Sequence, residues 1–305
     1  MRDLIIIGSG PAGLSAAIYG RRAGLDTLVI EETGISGGQV LKTYEVDNYP
    51  GLPGISGFDL GMKFREHADK TGAEFIDEKV LKIADDNNYK MVITDNGEYR
   101  AKAVIIATGA SHNNLGIPGE QELSGMGVSY CATCDGAFFK DKITTVVGGG
   151  DVAVEDAIFL SRACSKVYIL HRRNTFRAAK KLQETLFAQK NIEVIWDSVV
   201  ERINGDGQVE SVSIKNVKTN ETRELETDGV FVAVGIHPNT NAFESKTLKD
   251  EKGYIISNED GVTNIPGIFA AGDVRTKDVR QIVTAVADGA NAVYAAQKYM
   301  NNMKF

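Results

Sequence analysis

The sequence predicts an α/β chain that carries two copies of a strand-turn-helix-strand unit, and three observations carry the prediction. A short β-prone run, Asp3 to Ile7, enters the glycine-rich turn Gly8-Ser9-Gly10-Pro11-Ala12-Gly13. The pattern returns 140 residues on, where Lys142 to Val147 enters Gly148-Gly149-Gly150-Asp151-Val152-Ala153. The internal spacing is also the same, because Gly8 to Glu31 and Gly148 to His171 both span 23 residues.

In the first copy a helical stretch from Leu14 to Ala23 follows the turn, and Thr27 to Ile30 forms the next short strand. In the second copy the helix is expected from Val154 to about Ala163 and the strand from Lys166 to Leu170. Both are βαβ units whose crossover should be right-handed. Ala103 to Ala107, ending in Thr108-Gly109-Ala110, reads as a further buried strand, with Val230 to Gly235 as its counterpart in the second copy. Gly267 to Ala271 reads as another, ending in Gly272-Asp273.

The glycines divide the work of a dinucleotide turn: Gly8 makes the tight bend, Gly10 lets backbone approach a pyrophosphate, and Gly13 lets the helix pack on the strand. The helix N-terminus then faces the phosphates. In the second unit Gly148 and Gly150 take the first two roles and Ala153 the third, a replacement the fingerprint permits. Glu31 ends the second strand where a carboxylate accepts hydrogen bonds from ribose hydroxyls, which suits a ribose without a 2′-phosphate. The equivalent position is His171, followed by Arg172, Arg173 and Arg177. Guanidinium forks bind a phosphate where a carboxylate would repel it, so the second site should prefer NADP(H) over NAD(H). Asp273 stands at a strand end where it reads equally as a hydrogen-bond partner for a sugar-alcohol chain and as a helix N-cap.

Composition bounds the alternatives. The 305 residues allow two domains of about 150, each able to bury a core. Glycine, 32 residues or roughly 10%, exceeds the usual ~7%. A net charge of −7 argues against a broad nucleic-acid footprint. No apolar run approaches the ~18 residues of a membrane helix, and Leu4 to Ile7 is too short for a signal segment, so a cytoplasmic protein is expected.

Two of the three cysteines, Cys131 and Cys134, form a C-x-x-C. A metal site would need further ligands, yet Cys164 is thirty residues away and His67, His112, His171 and His237 show no ligand spacing. A redox pair is the better reading, since two thiols three apart can close a short disulfide. Asp135 reads equally as an acid that hands a proton to a departing thiolate and as a turn or N-cap aspartate. Cys164 reads as a small buried core thiol.

With these pieces assembled, the chain resembles the bacterial-type, low-molecular-weight thioredoxin reductases over nearly its whole length. The resemblance is carried by the Gly8 to Gly13 turn, Gly37-Gly38-Gln39, Ala107-Thr108-Gly109-Ala110, Cys131-Ala132-Thr133-Cys134-Asp135-Gly136, His171-Arg172-Arg173 with Arg177-Ala178, and Ala270-Ala271-Gly272-Asp273 with Arg280-Gln281. It implies an FAD domain split into 1–114 and 245–305, with an NADPH domain, 115–244, inserted into it. FAD contacts would fall to the Gly8 turn, Glu31, Gln39, Asn48, Asp273 and Gln281, and the NADPH 2′-phosphate to His171, Arg172 and Arg177.

The implied reaction passes electrons from NADPH through FAD to the Cys131–Cys134 disulfide and on to thioredoxin. Cys134 would face the flavin, Cys131 would attack thioredoxin, and Asp135 would supply or accept the proton. A homodimer is implied as well. Asp151 and Val152 depart from the Asn and Thr frequent in the family, which leaves open how that turn meets the pyrophosphate. Because the dithiol and the nicotinamide site fall in one domain and the flavin in the other, the central domain is expected to swing between two orientations, with polar hinges near Asn113-Asn114 and Asn239 to Asn241. The alternatives are a dithiol reductase serving a glutaredoxin-like protein or a peroxiredoxin, and a catalytically silent dinucleotide sensor.

Overall fold

The computed structural model describes residues 1–43, 45–86, 89–242 and 247–303. In strand β1 (Arg2–Ile7) the aliphatic side chains Leu4 to Ile7 are buried on both faces, as the centre of a parallel sheet requires. The Gly8 turn leads into α1 (Pro11–Arg22), which starts three residues before the expected Leu14 because proline is well suited to the first helical position. After β2 (Thr27–Glu31), helix α2 (Gly57–Lys70) is capped by Ser56, whose Oγ accepts from the Asp59 N–H at 3.0 Å. Strands β3 (Glu74–Asp77), β4 (Val80–Asp86), β5 (Tyr89–Thr94) and β6 (Glu98–Ile106) complete the sheet order β3-β2-β1-β6-β5-β4. The β3-β2-β1-β6 part is parallel, and β4, β5 and β6 form an antiparallel meander.

The chain then passes through β7 (Ala110–His112) to β8 (Val128–Ser129), the single helical turn α3 (Ala132–Asp135) and β9 (Ile143–Gly148). Helix α4 (Asp151–Leu160), β10 (Lys166–Leu170), α5 (Lys180–Phe187) and β11 (Ile192–Ile195) follow. Helix α4 begins at Asp151 because Gly150 is its N-cap, and it stops at Leu160, three residues short of the expected end. An antiparallel sheet of β12 (Ser198–Asn204), β13 (Ser211–Asn216) and β14 (Thr222–Glu226) precedes β15 (Gly229–Ala233) and β16 (Ile236–Pro238). The five-stranded sheet has the order β11-β10-β9-β15-β8 and is parallel throughout.

Beyond β16 the chain returns to the first sheet with β17 (Ile268–Ala270), which pairs in parallel with Val104–Ile106 of β6, and ends in α6 (Ile282–Asn302). Helix α6 packs closely on α1. A Cβ on Gly289 would lie 2.2 Å from the Ala12 carbonyl oxygen, and Ser15 Oγ donates to the Val286 carbonyl at 2.7 Å.

The chain is thus α/β, with two Rossmann-like units, one inserted into the other. The first comprises Met1–Ser111 and His237–Phe305 and the second His112–Ile236. The two connecting segments, β7 and β16, pair as a two-stranded sheet. Of the domain boundaries expected from the sequence, 114/115 lies just beyond the division after Ser111, and 244/245 lies outside the described residues. No described helix is long and apolar enough to cross a membrane.

Candidate active site

One turn of backbone builds the dithiol. Cys131 is extended and caps α3, so that the N–H groups of Cys134 and Asp135 both reach its carbonyl, at 3.2 and 3.1 Å. The two cysteines, with Cα atoms 5.3 Å apart, are joined by a disulfide, and both are half-buried. Thr133 Oγ1 lies 3.4 Å from Cys131 Sγ.

Asp135 does not use its side chain as a cap. Its Oδ2 accepts from Ser129 Oγ at 2.6 Å, while Oδ1 is buried with no hydrogen-bond partner. Burial pushes the Asp135 carboxyl above the usual range, and the Ser129 hydrogen bond only partly counters that. Such an acid holds its proton nearer to neutrality than an ordinary aspartate does.

Residues not singled out from the sequence surround this turn. Ser129 is one. Glu120, 1% exposed, accepts from the Leu115 and Gly116 N–H groups at 2.8 and 2.7 Å and from the Tyr130 hydroxyl at 3.0 Å. The Tyr130 ring stacks on His112 at 5.2 Å between centroids, which ties the residue before Cys131 to the start of this unit. Cys164 is a buried free thiol in the core with Leu160, as expected.

The first glycine turn lies between β1 and α1. Gly8 has φ +96°, and a Cβ on Gly13 would stand 1.9 Å from the Gly8 carbonyl oxygen, so the turn closes only without those side chains. The N-terminus of α1 at Gly10 has no side-chain cap, and Pro11 and Ala12 follow directly. Glu31 is oriented from both sides: Oε2 accepts from Ser9 N–H and Oγ at 2.9 and 2.6 Å, and Oε1 from the Thr33 N–H at 3.0 Å. The Gly37 N–H donates to the Ser9 carbonyl at 2.9 Å, bringing Gly38 and Gln39 beside the turn, and Gln39 Nε2 donates to the Ala110 carbonyl. Asn48 Nδ2 donates to Gln281 Oε1 at 3.0 Å, and Gln281 is the N-cap of α6.

Asp273 lies in the 3-10 turn Gly272–Val274 that follows β17. Its Oδ1 is buried without a partner, and burial raises its pKa although Lys277 and Arg280 pull it down. Beneath that turn sits Asp288 of α6, 6% exposed, also unmarked in the sequence reading. It accepts from the Gly272 N–H at 2.9 Å, from Arg275 through Nε and a terminal nitrogen at 2.9 and 2.8 Å, and from Lys277 Nζ at 2.9 Å. Burial opposes ionisation of Asp288, but the Arg275 and Lys277 hydrogen bonds outweigh it and hold its pKa below the usual range.

In the second unit Gly148, Gly149 and Gly150 join β9 to α4, whose N-terminus also lacks a side-chain cap, and Ala153 is fully buried under the turn. Asp151 is occupied, accepting from the Ala179 N–H at 2.8 Å. His171 and the arginines behind it differ in exposure. The His171 ring is buried, fills the space left by Gly149 and packs on Phe176 and Trp196 at 5.6 and 6.2 Å, and burial lowers its pKa toward the neutral imidazole. Arg172, Arg173 and Arg177 are exposed, and no ion pair among the described residues engages them. The Arg177 N–H donates to the Gly149 carbonyl at 2.8 Å, which fastens the arginine loop to the glycine turn.

Comparison with known proteins places this geometry among relatives. Residues 2–289 match the family model of the pyridine nucleotide-disulphide oxidoreductases. The thioredoxin reductase of Listeria innocua is 50% identical over 304 residues, covering 99% of this chain and 95% of that protein. The thioredoxin reductase of Bacillus subtilis is 47% identical over 303 residues, covering 99% and 96%. The crystal structure of thioredoxin reductase from Streptococcus pyogenes superposes with a TM-score of 0.96 at 48% identity, covering 99% of both chains. That of Lactococcus lactis thioredoxin reductase in its FR conformation gives 0.68 at 47% identity, covering 99% and 100%.

Proposed function

Because the chain belongs to the pyridine nucleotide-disulphide oxidoreductase family and is a thioredoxin-disulfide reductase that uses FAD and NADPH, we propose that Cys131, Cys134 and Asp135 form its redox centre. The observation that carries this assignment is the Cys131–Cys134 disulfide with a buried, partly unsatisfied Asp135 carboxyl in the same turn.

The unit of Met1–Ser111 and His237–Phe305 takes FAD. The residues fit that cofactor: an uncapped helix N-terminus stands behind Gly8, Ser9, Gly10, Pro11, Ala12 and Gly13 for the pyrophosphate, Glu31 for the ribose, and the unpartnered Asp273 Oδ1 for a sugar-alcohol hydroxyl. Gln39, Asn48 and Gln281 complete that side. The unit of His112–Ile236 takes NADPH at Gly148, Gly150 and Ala153. Arg172, Arg173 and Arg177 offer cations to the 2′-phosphate, with His171 holding the turn beneath them.

Bound FAD supplies acceptance of a hydride from NADPH and delivery of two electrons to the disulfide. Once reduced, Cys131 as the thiolate attacks one sulfur of the thioredoxin disulfide. That S–S bond breaks, and the departing thioredoxin sulfur takes up a proton. Cys134 then attacks Cys131 Sγ, releasing the second thioredoxin sulfur and re-forming the Cys131–Cys134 bond. Asp135, whose pKa is raised by burial, exchanges the proton with the thiol that must be activated or protonated.

The dithiol and the NADPH site belong to one unit and the flavin to the other, so both half-reactions require the central unit to reorient. The solved structure of the Lactococcus lactis relative is named for one particular conformation, FR, which is consistent with such a movement. The relatives' shared name favours thioredoxin over a glutaredoxin-like protein or a peroxiredoxin as the partner. We propose a cytoplasmic homodimer. Exposed Tyr294 and Val283 on α6, 70% and 44% accessible, support a second copy covering that helix, and light scattering at the monomer mass would reject it.

The test of function is NADPH-dependent disulfide reduction with a panel of thioredoxins and glutaredoxins, beside an absorption spectrum for bound flavin. A colourless chain that cannot be reconstituted with FAD ends this reading.

A further inference from the structure

Ser129 closes β8 two residues ahead of Cys131 and is 5% exposed. Its hydroxyl lies 2.6 Å from Asp135 Oδ2 and 3.1 Å from the Cys131 backbone nitrogen. A hydroxyl has one proton and two lone pairs. The Cys131 N–H must donate, so Ser129 Oγ accepts there, which leaves its proton for Asp135 Oδ2. The Cys131 carbonyl is the competing acceptor, at 3.4 Å, a much longer contact. One side chain therefore touches both the proposed acid and the backbone that carries the proposed attacking sulfur.

We propose that Ser129 is a positioning residue that acts through Asp135: its hydroxyl sets the pH range over which that acid keeps its proton, and it fixes the backbone at Cys131. This rests on Asp135 being the acid of the reaction.

The surroundings leave Ser129 little competition. Asp135 Oδ1 has no partner, so Ser129 provides the side-chain hydrogen bond that its carboxylate receives among the described residues. Helix α4, packed against α3, carries Asp151, Glu155 and Asp156, and none of the three contributes to the shift at Asp135, which arises from burial and Ser129. The 3-10 turn Gly136–Phe139 carries no titratable side chain. Removing the hydroxyl leaves both oxygens of a buried carboxylate unpartnered. That penalises the ionised form far more than the neutral one, so the proton stays on to higher pH.

The experiment is the pH dependence of kcat for thioredoxin reduction by the holoenzyme and its variants. If the protonated Asp135 is needed, activity falls as pH rises through its pKa. Ser129→Ala should move this alkaline limb upward by about one pH unit, a tenfold change in the apparent acid constant, since one charge-assisted hydrogen bond contributes about 1.5 kcal/mol. Ser129→Thr keeps a hydroxyl and should restore the limb. Ser129→Val, isosteric with threonine, should shift it like alanine, separating the hydrogen bond from side-chain volume. Loss of the limb in Asp135→Asn together with an unmoved limb in Ser129→Ala and Ser129→Val overturns the role of Ser129 alone. Persistence of the limb in Asp135→Asn overturns Asp135 as the acid, and the role of Ser129 falls with it.

Discussion

Replacing Arg172 and Arg177 together by alanine should separate the two nicotinamide nucleotides. Both guanidiniums are exposed, and no carboxylate among the described residues engages them in competition with an arriving phosphate. A hydrogen bond to a charged group contributes roughly 1.5–3 kcal/mol, and exposure favours the lower end, so two arginines supply about 3 kcal/mol, a loss of roughly 100-fold in NADPH affinity. NADH carries no 2′-phosphate, and its KM should change little. Steady-state kinetics with both nucleotides at low and raised salt is the assay, and the NADPH preference of the unaltered enzyme should itself shrink as salt screens the arginines. His171→Asn provides an internal contrast: the ring is buried on Phe176 and Trp196 and its pKa is lowered by burial, so it carries little charge to lose. That variant should melt earlier while keeping its nucleotide preference. Equal losses for NADPH and NADH in the double arginine variant would refute the reasoning.

Cys134→Ser should keep NADPH-driven bleaching of the flavin absorbance but lose thioredoxin turnover, and undiminished turnover would remove Cys134 from the electron path. Asp288→Ala leaves Arg275 and Lys277 buried without their shared anion, so thermal unfolding should show a loss of about 3–5 kcal/mol, with reduced flavin retention because the Gly272 turn loses its anchor. Burial raises the Asp156 carboxyl to about 7, so it favours folding below its ordinary range near 3.8 and loses that contribution as pH rises through neutrality. Asp156→Asn should therefore be relatively more stable than the parent at pH 8 than at pH 4, by up to about 4 kcal/mol at about 1.4 kcal/mol per pK unit. A pH-independent difference between their melting curves would contradict this.

The βαβ units were legible because glycine spacing is a local signal: Gly8, Gly13 and Glu31 do their work within one turn and one strand. The β12-β13-β14 sheet was not. Its first strand shifts register between Val200 and Arg202, which interrupts the alternation that marks a half-buried strand. Among the site residues, Cys131 and Cys134 declared themselves by spacing, whereas Asp273 remained ambiguous because an acidic strand end is compatible with a cap. Ser129 and Asp288 gave no signal. A serine becomes informative only once a turn folds Asp135 back onto it, and Asp288 only once α6 brings it against Arg275. The arginines were legible by type, but the burial of His171 depends on Trp196, twenty-five positions further along, and on the gap at Gly149.

Strand β17 pairs with Val104–Ile106, yet all of His112–Ile236 is synthesised between them. At roughly 5–20 residues per second, on the order of ten seconds passes between emergence of the two partners from a ribosome. Throughout that delay the edge of β6 at Val104–Ile106 is an open template for a stray strand, and only once Ala233 has emerged does the inserted unit have every segment of its own sheet. Newborn chains should therefore be most prone to aggregate in this interval, and a nascent chain halted before Ile268 should hold a protease-resistant middle flanked by an unfinished N-terminal half.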